Sequence, residues 1–98
     1  MITIIATLKV KEGKMDEAIA AVKEAAVSIR AAEPGCLEYK PHSVRGAGNE
    51  NLILMYERYA DKDALKAHSA SLSKSLEKVL PLLEPGMDIK TCYEIPLE

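Results

Sequence analysis

The hydrophobic period of this chain switches repeatedly between two residues and about 3.6, and the order of those switches restricts the fold more than any single residue. Residues 2–10 alternate, with Ile2, Ile4, Ala6, Leu8 and Val10 on one side and Thr3, Ile5, Thr7 and Lys9 on the other. Alternation with β-branched residues predicts a strand covered on one face. From Lys14 to about Glu33 the period lengthens, and Met15, Ala18, Ile19, Val22, Ala26 and Ile29 mark an amphipathic helix. Asp16 and Glu17 sit in its first turn, where the helix dipole favours negative charge. "EPG" at 33–35 ends it, because Pro34 cannot continue a helix and Gly35 suits the turn.

A second strand is predicted from Cys36 to about Val44. Pro41 lacks a ladder donor, so this strand belongs at an edge or carries a bulge. "RGAGNEN" is a hairpin loop, and the apolar "NLILMYERY" reads as a central strand. Asp61 offers an N-cap to a second helix, with a break or kink expected at the serines from Ser69 to Ser73 and an end signal at Pro81. "MDIKTCYEI" supplies a last alternating strand. The order β-α-β-β-α-β predicts one α+β domain over 1–98, a ferredoxin-like antiparallel sheet in the order 4-1-3-2 with both helices on one face. The other face then keeps apolar residues: Ile5, Ile53 or Leu52, and Met55 or Leu54. A second copy of the chain is the economical cover, so a homodimer is expected.

Composition excludes several classes of function. An apolar share of 48% and a charged share of 29% describe a folded globule. A net charge of −2, with both signs interleaved, lacks the basic patch that nucleic acid requires. The opening segment has no basic residues before its apolar stretch and is soon interrupted by Lys9, so neither an export signal nor a membrane span is expected. Cys36 and Cys92 are then two reduced thiols in a cytoplasmic protein, too far apart across the sheet for an intrachain disulfide.

One residue breaks the second helix's pattern. Leu65, His68, Leu72, Leu76 and Val79 share a face, and four are aliphatic. A histidine in such a stripe is either hydrogen-bonded at the helix edge or serves a pocket. In a pocket, desolvation would keep the imidazole neutral and ready to accept a proton. Glu57, in mid-strand, cannot pair with Arg58 because neighbours point to opposite faces. It faces either a cavity, where it could orient an imidazole or hold a substrate hydroxyl, or a second subunit. Tyr39, Tyr56 and Tyr59 are amphipathic residues of which at least one is expected to touch a ligand, while His42 on the edge strand is expected to be exposed. The histidines and cysteines show no metal spacing, and there is no phosphate loop or nucleophile elbow.

Taken together, "EPGCLEY" at 33–39, "LMYERYADKDALKAH" at 54–68 and the closing "YEI" resemble the antibiotic biosynthesis monooxygenase family of the dimeric α+β barrel superfamily. The resemblance covers nearly the whole chain. It implies a cofactor-independent monooxygenase that oxidises an electron-rich phenol or quinol with dioxygen, with no cofactor and no metal, and with a small aromatic substrate as partner. It makes His68 the candidate catalytic base. Glu57, Tyr39, Tyr56, Tyr59, Leu65 and Leu72 would form the substrate pocket, between the sheet and the second helix. Two departures from the family's pattern are visible: Tyr59 stands where many relatives have Trp, and "SASLSKS" replaces a second His or aromatic residue. Heme-degrading relatives carry a His on the last long helix and an Asn on the first strand; "SLEKVLPLL" and "TIIATL" have neither. An isomerase or tautomerase using the same base, and a dimeric small-molecule-binding module without catalysis, are the alternatives.

Overall fold

β1 (Ile2–Lys9) turns Ile2, Ile4, Ala6 and Leu8 inward, each no more than 5% exposed, and leaves Thr3, Ile5 and Thr7 on the other side. A computed structural model describes all 98 residues. After Gly13, which takes the turn at a φ of 78°, α1 (Met15–Ala32) packs Ala18, Val22, Ala25, Ala26 and Ile29 against that inner face. Ala25 escaped the sequence pattern, and Ile19 lies mostly outside the core. β2 (Cys36–Ser43) and β3 (Leu52–Tyr59) form a hairpin whose loop uses Gly46 and Gly48 at positive φ. α2 (Lys62–Ser75) starts at Asp61, whose carboxylate accepts from the Ala64 N–H at 2.8 Å. β4 (Asp88–Tyr93) completes the sheet.

The strands lie in the order β2-β3-β1-β4, all neighbours antiparallel, which is the expected ferredoxin-like arrangement. β2 is an edge strand as its proline demands. The irregularity falls between Cys36 and Glu38, however, and Pro41 pairs in register with Met55. Cys36 and Cys92 are both free thiols, on opposite edges of the sheet. Alternation resolves the outer face: Ile5, Leu52, Leu54 and Tyr56 lie there half-buried, while Ile53 and Met55 point into the core.

Two local expectations are corrected. The serines do not break α2, because Ser71 Oγ donates back to the carbonyls of Ala67 and His68 instead of competing for backbone donors. The helix ends at Ser75, ahead of Pro81, which sits in a short 3₁₀ turn over Leu80–Leu82. The chain after that turn is tied to the end of β1 by Lys11 N–H to Leu82 O and Glu84 N–H to Lys9 O, at 2.8 and 2.7 Å. No helix is long and apolar enough to cross a membrane.

Candidate functional site

α2 does not close fully on the sheet. Between its inner face and the strands lies a cavity of about 140 Å³, floored by Ile4, Ala6 and Leu8 and walled by Leu65 and Leu72. Neither helix extends over β4, so Ile89, Thr91 and Tyr93 remain exposed on the inner side and the cavity opens along that edge. Its polar end is built by Glu57 from β3, Tyr39 from β2 and His68 from α2.

His68 is 4% exposed and fastened on several sides. Nδ1 lies 2.9 Å from Glu33 Oε1, at the C-terminal end of α1. Nε2 approaches Glu57 Oε1 to 3.7 Å, an ion-pair distance too long for a hydrogen bond. Tyr59 and Tyr39 flank the ring in tilted contact, with centroids 5.0 and 5.5 Å away. The two carboxylates lie on opposite sides of the imidazole, and no three His, Cys, Asp or Glu side chains converge as metal ligands would.

Glu57 faces the cavity, one of the two orientations open from sequence, and is 5% exposed. Burial pushes its carboxyl up from the ordinary range; the Tyr59 hydroxyl, donating at 2.6 Å, and His68 oppose that, while Glu33 adds to it. The Tyr39 and Tyr59 phenols are pushed up too, mainly by burial, and so remain protonated donors. Burial likewise raises the Cys36 thiol, with help from Glu33 and Glu57.

Two of the expected pocket residues stand elsewhere. Tyr56 is on the outer face, because the two-residue period that sends Glu57 inward sends its neighbour out. Tyr59 is inward but fully buried beneath the site, where it holds Glu57 rather than lining the cavity. His42 is exposed on the edge strand, its Nδ1 3.0 Å from the Lys40 carbonyl. Glu33 was missed, since nothing in a helix-ending "EPG" announces a partner on α2. Met87, Ser69 and Thr91 were missed as well, being unremarkable by type.

A family model for antibiotic biosynthesis monooxygenase matches residues 1–73, and the chain belongs to that family. A Caulobacter crescentus protein provisionally named an antibiotic biosynthesis monooxygenase is 29% identical, with a TM-score of 0.82 over 97% of this chain and 90% of its own. A Shewanella oneidensis protein is 25% identical, with a TM-score of 0.80 over 95% and 89%. One from Nitrosomonas europaea, also provisionally named for this activity, shares the fold at 20% identity, with a TM-score of 0.77 over 98% and 100%. No curated protein matches.

Proposed function

We propose that the chain is a cofactor-independent monooxygenase of a small electron-rich phenol or quinol, with His68 as the base. The observation that carries this reading is the presentation of Nε2, free of any hydrogen bond within the chain, at the polar end of an otherwise apolar cavity. A phenol bound there would give its proton to Nε2, and the protonated Tyr39 would donate to the resulting oxyanion. The anion then reduces dioxygen by one electron, and the two radicals recombine at a ring carbon. For a phenol with an unsubstituted para position, phenol plus dioxygen gives quinone plus water. One oxygen atom enters the ring, the other leaves as water with two substrate hydrogens, and the substrate supplies all four electrons.

Size favours one ring. A cavity of about 150 Å³ lined by aliphatic and aromatic side chains holds benzene, and this cavity has about 140 Å³. Larger substituents would leave by the open edge at β4. Oxygen consumption by purified protein without added cofactor, across mono- and bicyclic phenols and reduced quinones, tests the reading. Saturable uptake with monocyclic members is expected. A panel that stabilises the protein against heat without oxygen uptake would instead indicate a binding module.

The reading includes a homodimer. The outer sheet face carries half-buried Ile5, Leu54 and Tyr56, and the Arg58 Nε is buried there without a partner. A second copy would cover those apolar side chains. Sedimentation at micromolar concentration should give a dimer; a stable monomer would remove this part.

A further inference from the structure

We propose that Glu33 is the positioning residue of the site: it fixes the tautomer of His68, and a glycine-dependent contact between its turn and α2 holds it in place. The inference rests on His68 acting through Nε2. A carboxylate only accepts hydrogen bonds, so the 2.9 Å contact at Nδ1 places the neutral ring's proton on that nitrogen. Nε2 is then the bare acceptor, and it is the nitrogen turned toward Glu57 and the cavity. A free imidazole side chain favours the opposite tautomer, with the proton on Nε2, which could not take one from a substrate. When Nε2 gains a proton, the charge arriving on the ring finds Glu33 already in contact with its far side.

The turn that carries Glu33 is pinned from three directions. Glu33 N–H donates to Ile29 O at 2.9 Å, ending α1; Cys36 N–H donates to Glu33 O at 3.0 Å; and Ala60 N–H, just past β3, donates to Gly35 O at 2.9 Å. Gly35 does not have a positive φ, so the turn does not need glycine for its backbone. It needs glycine for space: a Cβ there would lie 2.5 Å from the Ala64 Cβ. Ala64 stands one helical turn before His68, on the same face of α2. The close approach of turn to helix at Gly35 therefore sets the distance from Glu33 to His68. Any larger residue at position 35 must push α2 and the Glu33 turn apart.

The test reads the imidazole directly and needs no substrate, so its failure is separable from failure of the oxygenase reading. Long-range ¹H–¹⁵N correlation spectra of the intact protein, recorded with the ring neutral, should show His68 protonated at Nδ1 and bare at Nε2. Glu33→Gln should keep that tautomer, because its amide oxygen still accepts. Glu33→Ala should move the ring toward the Nε2–H form, and Gly35→Ala should do so in part. A wild-type ring protonated at Nε2 would overturn the proposal, even if the variants fail to fold. So would a folded Glu33→Ala protein with unchanged nitrogen shifts. Once a substrate is known, kcat should fall at least tenfold in Glu33→Ala and be substantially recovered in Glu33→Gln; a loss confined to KM would also overturn it.

Discussion

Two helices cover the same sheet face in different ways. α1 buries five residues, Ala18, Val22, Ala25, Ala26 and Ile29, all small or aliphatic. α2 buries only His68. Small residues let α1 lie close to the strands and fill the space between, as a core requires. α2 instead holds Leu65 and Leu72 half-buried over a cavity, so those side chains forgo packing contacts that a closed interface would supply. The contrast indicates that the buried face of α1 mainly closes the core while that of α2 borders the site, and substitutions can test it.

The largest effect is expected at the single buried residue of α2. His68→Leu should lower turnover about 10²–10⁴-fold, the usual consequence of losing a positioned proton acceptor. Stability should fall as well, by about 1–3 kcal/mol, because Leu leaves the part-buried Glu33 carboxylate without its Nδ1 partner and sets an apolar group against buried Glu57. Activity within a factor of two of wild type would return His68 to a structural role. Next come the matched truncations. Ile29→Ala, at 2% exposure in α1, should cost about 2–5 kcal/mol in denaturant unfolding. Leu72→Ala should cost about 1 kcal/mol, because that side chain is only half-buried and loses less apolar burial. Equal losses would mean that the two helices pack alike.

The same contrast separates what was legible in the sequence from what was not. α1, the strands and their order follow from periods of two and 3.6, because burial on a regular element is a local pattern. His68 stood out for the same reason, as a polar residue in an aliphatic stripe. What escaped depends on contacts across elements. Tyr56 follows from the local period once Glu57 is known to face inward, but which face of β3 is inward is set by the cavity, not by the strand's own residues. Gly35 reads as a conformational glycine, yet its reason is Ala64, far along the chain. Glu33 reads as a helix-end carboxylate on an exposed turn, and it becomes part of the site only because that glycine lets α2 approach. Pro81 reads as a helix terminator, but α2 had already ended, at Ser75.

The smallest expected signal is a slope in pH, and it sharpens the comparison because α1 buries no ionisable side chain. Glu57, facing His68 and hydrogen-bonded by Tyr59, has its carboxyl pushed above the ordinary value of 4.5, chiefly by burial. The folded state therefore holds this proton at pH values where the unfolded chain has released it. The contribution to stability is fully present below the unfolded carboxylate range and is lost as pH rises through the raised folded value. One group can tilt stability by no more than about 1.4 kcal/mol per pH unit, and a partial titration tilts it less. Glu57→Gln keeps an oxygen to accept from Tyr59 but cannot titrate. Its melting temperature should fall less than that of wild type as pH rises from about 4.5 toward neutrality, with the difference between the two proteins isolating this carboxyl from Glu33 and His68. Parallel profiles would mean that Glu57 ionises alike in the folded and unfolded chain. The polar end of the cavity would then be open to water.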